Sequence, residues 1–153
     1  MLQTAARAAD IGAPPALIVA ALLHDVGHLL HPEGETAAEA GVDIGHEALG
    51  AVWLSQSFGP DITAPIALHV EAKRYLCAVD PSYHERLSEA SRASLRAQGG
   101  IMSAREIDAF RNTFAFEHAI MLRRCDDDGK DTLGANEPLE SYRNLLAQHI
   151  LHA

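Results

Sequence analysis

Ala20-Ala-Leu-Leu-His-Asp-Val-Gly-His28 is the stretch on which the reading of the whole chain turns. Four small or branched apolar residues run straight into an adjacent His24-Asp25 pair, and a glycine follows two positions after the aspartate. Pro14-Pro15 suits the first turn of a helix, where a missing amide hydrogen leaves nothing unsatisfied. The segment 14–29 therefore reads as one apolar helix with an imidazole and a carboxylate at its end. A carboxylate buried beside an imidazole is expensive unless something neutralises it, and a metal ion does so directly. A plain hydrogen bond between the two side chains accounts for a lone His-Asp dipeptide. The apolar helix in front and Val26-Gly27-His28 behind favour a metal site.

Helical periodicity continues on both sides of this stretch, and alternating β-branched runs are nearly absent. Helices are expected at about 2–10, 14–29, 45–57, 61–78, 84–97, 103–111, 113–128 and 138–151. Gly34 and Gly41 bracket an acidic loop, Gly59-Pro60 is read as closing the third helix, and Gly99-Gly100 as closing the fifth. Ser103 followed by Glu106 is a capping-box pattern. Asp126-Asp127-Asp128-Gly-Lys-Asp looks like a helix end running into a polar loop, with Asp127 and Asp128 solvated.

The fold class is all-α, and 153 residues suit one domain, 1–153, with a core large enough to need no disulfide. Apolar residues at 48% and charged residues at 22% fit a packed globule and exclude a wholly disordered chain. A net charge of -9 with no basic stripe argues against a nucleic-acid partner. Cys77 and Cys125 lack zinc-type spacing and read as reduced thiols of a cytoplasmic protein. Residues 1–23 have no basic start leading to a cleavage site, and the apolar run ends at His24, so neither a signal peptide nor a membrane span is expected. The oligomeric state is left open.

With its His-Asp pair on a helical bundle, the chain resembles the HD-domain superfamily, whose members bind metal through a histidine, a His-Asp pair and a distant aspartate. His46 follows His24 by 22 residues and His69 follows His46 by 23, each on its own expected helix. Taken singly, either is more often a surface or core histidine; as members of an ordered set they imply a second metal ion. Asp25 has two oxygens and can bridge ions about 3.5–4 Å apart, with His46 and His69 completing the second. Imidazole and carboxylate without thiolate favour iron, manganese or a similar divalent ion over structural zinc. Asp126 closes the set because it lies three residues after Arg123 on the same helical face. Lys73 lies four residues after His69 on one face, so Lys73 and Arg123 equip the site for a small anionic phosphoryl or phosphonate group. A merely solvated Lys73 is the plainer alternative.

His69-Val-Glu-Ala-Lys73-Arg-Tyr-Leu-Cys77, Leu87-Ser-Glu-Ala-Ser91, Leu95-Arg-Ala-Gln-Gly-Gly-Ile-Met102 and Leu122-Arg-Arg-Cys-Asp-Asp-Asp-Gly-Lys130 resemble a narrower group. This is the PhnZ-type branch, mixed-valent di-iron oxygenases that cleave the carbon–phosphorus bond of hydroxylated aminophosphonates. The resemblance implies two iron ions, Fe2+ and Fe3+, one held by His24, Asp25 and Asp126 and the other by Asp25, His46 and His69. It implies that His24, Asp25 and Lys73 serve catalysis, and that Lys73, Ser91 and Arg123 engage the phosphonate. It also implies an amide side chain three residues after the serine, where this chain has Ser94.

The same resemblance implies a first metal histidine about two dozen residues before the His-Asp pair, and residues 1–23 contain none. A start set too late, leaving an N-terminally truncated HD domain, is the expectation; a short protein with an open first metal site is the alternative. Two other activities stay open: a metal-dependent phosphohydrolase acting on a phosphate ester or nucleotide, and a degenerate domain without turnover.

Overall fold

The computed structural model describes residues 1–32, 42–129 and 137–151. Its helices are α1 (Leu2–Asp10), α2 (Pro15–Leu23), α3 (Val26–Leu30), α4 (His46–Leu54), α5 (Pro60–Val79), α6 (Pro81–Arg86), α7 (Glu89–Ala97), α8 (Ala104–Arg111), α9 (Phe116–Asp128) and α10 (Arg143–His149), with a 3-10 turn at Leu139–Tyr142. Among the described residues there is no sheet, only an isolated bridge between Phe58 and Ile150. The all-helical expectation holds, and no described helix is long and apolar enough to cross a membrane.

The longest helix, α5, is the spine against which α2, α4, α6, α8 and α9 pack, while α1 lies on α2 and α9. Two apolar clusters form around it. The first joins Ala5, Ala8, Leu17, Leu22, Leu54, Ile66 and Leu122 from α1, α2, α4, α5 and α9. The second joins Tyr75, Leu76, Tyr83, Leu95, Phe110 and Ala119, with Phe116 packed against it. On α5, His69 falls between Ile66 of the first cluster and Ala72 of the second. A polar site thus sits where two cores meet, with packed apolar walls on both sides.

Several boundaries correct the sequence reading. The helix expected over 14–29 breaks at the His-Asp pair: Asp25 has φ -100° and ψ 8°, and α3 starts after it. Successive side chains of a continuous α-helix diverge by about 100°, so the break is what lets neighbours 24 and 25 face one centre. The expected 84–97 helix is two, because the Ser88 side chain accepts the Ser91 amide and caps a fresh start at α7. Gly59-Pro60 opens a helix instead of closing one, with Pro60 in the first turn of α5, the position proline tolerates best. The capping box at Ser103 and Glu106 is present in both directions. The loop bracketed by Gly34 and Gly41 lies outside the described residues, as do Lys130 and Asp131. Cys77 and Cys125 are buried and unpaired.

Candidate metal centre

Five side chains from five places in the fold converge. His24 ends α2, Asp25 sits in the break, His46 is the first residue of α4, His69 lies midway along α5, and Asp126 is in the last turn of α9. Two sets of donor atoms each fall within 4.8 Å of one another: His24, Asp25 and Asp126, and Asp25, His46 and His69. Asp25 belongs to both. Its Oδ2 lies 3.1 Å from His24 Nε2, and its Oδ1 lies 3.6 Å from His46 Nε2 and 4.0 Å from His69 Nε2. Asp126 Oδ1 is 3.4 Å from His24 Nε2.

The outward nitrogens of His24 and His69 fix their tautomers. His24 Nδ1 donates to the Ala21 carbonyl at 2.8 Å, and His69 Nδ1 to the Ile66 carbonyl at 2.7 Å. His46 Nδ1 faces Glu47 Oε2 at 3.3 Å. The His24 and His69 rings therefore carry a hydrogen on Nδ1 and turn Nε2 inward, the arrangement metal-bound imidazoles adopt. His46 Nε2 and His69 Nε2 stand 3.2 Å apart. Two lone pairs so close repel unless a cation or a shared proton lies with them. A charged imidazolium is a poor candidate for that cation: burial, helped by His28 and His24, lowers the His46 pKa to about 4. Burial and the charge of His24 lower that of His69 to about 3. The donor set thus fits metal ions.

At His24 burial also works against the charged form, but the Asp25 and Asp126 carboxylates outweigh it and raise the pKa to about 9. Burial likewise raises Asp25, and His24 overrides it, holding the carboxyl below the usual range. Both shifts have one origin: carboxylates in an apolar setting that demand a positive charge, which metal supplies in place of a proton. His24 Nε2 is fully buried without a hydrogen bond of acceptable geometry. A third possible set, Asp43, His46 and Glu47, uses His46 from its outer side and includes the exposed Asp43.

Against the centre lies a cavity of about 380 Å³. Asp25, His46, His69 and Asp126 line it together with Lys73, Ser91, Ser94 and Arg123; His24 is behind them. Lys73 is 3% exposed, so the solvated alternative does not hold. Its Nζ donates to Ser94 Oγ at 2.9 Å and to Gln98 Oε1. Ser94 is not an amide, but Gln98, one helical turn later, brings an amide to the same wall. Gln98 was invisible to spacing arguments because its partner Lys73 is on another helix. His28, stacked on His46 at 4.0 Å between ring centroids, also lines the cavity.

Arg123 is 5% exposed and multiply engaged. Its Nη1 lies 2.8 Å from Asp126 Oδ2, its Nη2 pairs with Asp127, and its Nε donates to Tyr83 Oη at 3.0 Å and Asp127 Oδ2 at 3.1 Å. Tyr83 donates in turn to Asp127 Oδ2 at 2.5 Å. Asp127 is therefore not part of a solvated helix end, whereas Asp128 is exposed and pairs with Arg7 at 3.1 Å. Helical spacing could have suggested the Asp127 pairing, since it follows Arg123 by four. Asp127→Ala is expected to destabilise the fold by about 3 kcal/mol, because it removes one partner of a buried guanidinium. Denaturant unfolding checks this; a cost below about 0.5 kcal/mol, the surface value, returns Asp127 to the solvated class.

The family model described as HD domain matches residues 1–98. The chain is 45% identical over 130 residues to [1-hydroxy-2-(trimethylamino)ethyl]phosphonate dioxygenase (glycine-betaine-forming) of Leisingera caerulea, covering 85% of this chain and 66%, just under two thirds, of that protein. It is 44% identical over 154 residues to hydroxymethylphosphonate dioxygenase of Gimesia maris, covering 99% of this chain and 76% of the relative. An uncharacterized protein of Acanthamoeba polyphaga mimivirus is 36% identical over 152 residues, covering 98% and 69%.

Proposed function

From the premise that this chain belongs to the HD-domain family, we propose that it is an oxygenase cleaving the carbon–phosphorus bond of a hydroxylated phosphonate at a pair of iron ions. The observation that carries the reading is the Asp25 carboxylate shared between two donor sets, beside a cavity lined by Lys73, Ser91 and Arg123. Two relatives named as dioxygenases of 1-hydroxylated phosphonates support it.

His24, Asp25 and Asp126 would hold one ion, and Asp25, His46 and His69 the other. An iron pair held there, mixed-valent as the resemblance implies, would supply dioxygen binding and hydrogen abstraction at the carbon bearing phosphorus. The protein does the rest. Lys73, buried and on the His69 face of α5, offers its ammonium to the phosphonate. Ser91 adds a hydroxyl at the same wall. Arg123 holds Asp126 in place through Nη1 and lends charge to the anion end. The two apolar clusters flank the site, and such low-dielectric walls strengthen each of these contacts. Inorganic phosphate leaves, and the carbon that carried the hydroxyl is oxidised with dioxygen as the oxidant. The relative described as glycine-betaine-forming ends in a carboxylate in the same way. The two unpaired, buried thiols support a cytoplasmic setting.

The test is phosphate release from hydroxymethylphosphonate and from 1-hydroxy-2-aminoethylphosphonate by iron-loaded protein, with and without oxygen. Release only under air is the expected result. Equal release without oxygen removes the oxygenase reading in favour of hydrolysis, and protein that holds no metal after loading points to a degenerate domain. Lys73→Ala should keep the metal content and raise KM on the order of 10- to 100-fold, the value of one charged hydrogen bond. Collapse of the metal content in that variant would show that Lys73 supports the centre instead of the substrate.

A further inference from the structure

The three imidazoles of the centre are not held alike. His24 and His69 each rest Nδ1 on a main-chain carbonyl three residues earlier in their own helices, that of Ala21 and that of Ile66. His46 has no such support, because it opens α4: the residue before it, Gly45, is left-handed at φ +61°, and position 43 lies outside the helix. Its outer nitrogen meets a side chain instead, Glu47 Oε2 at 3.3 Å. His28 stacks on the same ring at 4.0 Å and 17° between planes, which leaves rotation within the ring plane to be set by what Nδ1 faces.

The Glu47 carboxylate is poorly placed for any other purpose. Its side chain is 14% exposed, and Oε2 is sealed from solvent without a hydrogen bond of acceptable geometry. Burial works against its charge; Asp43 and Glu71 are near enough to repel it, and Lys73 attracts it more weakly than either repels. Glu71 also has a buried Oε2 without a hydrogen bond. Such a carboxylate adds little to the stability of a metal-free fold. It becomes favourable once Nε2 of the ring binds a cation, which polarises the ring and makes its Nδ1 hydrogen a stronger donor.

We propose that Glu47 is a positioning residue for His46, its carboxylate taking the Nδ1 hydrogen so that Nε2 turns to the ion held with Asp25 and His69. A full negative charge on the outer nitrogen makes the inner one a stronger base than a carbonyl does. The Asp25, His46 and His69 position thus depends on a carboxylate that is not itself a ligand, and the His24 position does not. The inference rests on the metal reading of the site, but not on which reaction the metals support.

Cobalt(II) is the probe, titrated into the metal-free full chain of the wild type, Glu47→Ala and Glu47→Gln, with visible absorption and metal analysis following the two positions. Glu47→Ala should weaken one ion on the order of 10- to 100-fold, the usual cost of losing a ligand's outer partner, and leave the other within about threefold. The metal-free melting temperature should stay within about 3 °C of wild type, less than the shift for a lost stabilising contact. Glu47→Gln should recover part of the affinity, since its carbonyl oxygen still accepts the Nδ1 hydrogen without the charge. Placed in a His69→Ala chain, which already lacks that position, Glu47→Ala should change cobalt binding no further. The competing role is structural: Glu47 lies in the first turn of α4, where Gly45 offers no capping side chain. A lower metal-free melting temperature with both ions weakened alike would establish that role and overturn the proposal. Wild-type affinity at both positions in Glu47→Ala also overturns it, and leaves the metal centre standing; a wild-type chain that binds no cobalt overturns both.

Discussion

Asp25→Ala is expected to empty both metal positions at once and to lower turnover on the order of 10³-fold or more, a larger loss than removing an outer partner of a ligand gives. The reason is geometric. Oδ2 faces His24 while Oδ1 faces His46 and His69, so one residue completes two donor sets that otherwise have two members each. Metal analysis per chain, with circular dichroism to show that the helices persist, is the measurement. Normal metal content in this variant would remove the shared-carboxylate assignment. His69→Ala serves as the comparison, since it should deplete one position and spare the other.

Gly27→Ala should be nearly as damaging without touching a ligand. An added Cβ would lie 1.9 Å from the His46 carbonyl oxygen, 2.7 Å from its carbon and 3.0 Å from the Gly50 nitrogen. The first separation is far inside contact range, and the obstacle is backbone, so α3 and α4 must part. We expect a stability loss of at least about 3 kcal/mol, the upper end for overpacking, and loss of metal from the set that contains His46. Gly50→Ala faces the same seam with nearest contacts of 3.1 Å and 3.3 Å and should cost about 1 kcal/mol, since its neighbours need give by only a few tenths of an ångström. Denaturant unfolding of the two variants together with metal content decides it. A Gly27→Ala protein as stable as Gly50→Ala would contradict the close approach.

Five candidate ligands, His24, Asp25, His46, His69 and Asp126, were legible in the chain from their residue types together with the ordered spacing of the family pattern, and the structure brings them together. Histidines and an aspartate pair on apolar helices carry a desolvation cost that asks for a cation wherever they end up. Helix ends were legible where the signal is local, as with Ser103 and Glu106. They were misread where two local signals compete: Gly59-Pro60 serves a stop or a start equally well, and Ser88 inside an apolar-periodic run was passed over although its hydroxyl caps α7.

By itself, then, the sequence determined the all-helical class, since periodicity acts within a few residues, and its side-chain chemistry with the family resemblance pointed to the candidate ligands and to a small anionic substrate. Tertiary structure alone decided the meeting of Tyr83 with Arg123 and Asp127, and of the Gln98 carboxamide with Lys73. Those depend on atoms brought within 4 Å across 25 to 44 positions of chain. Such meetings follow from how helices pack, and no pattern inside a single helix encodes them.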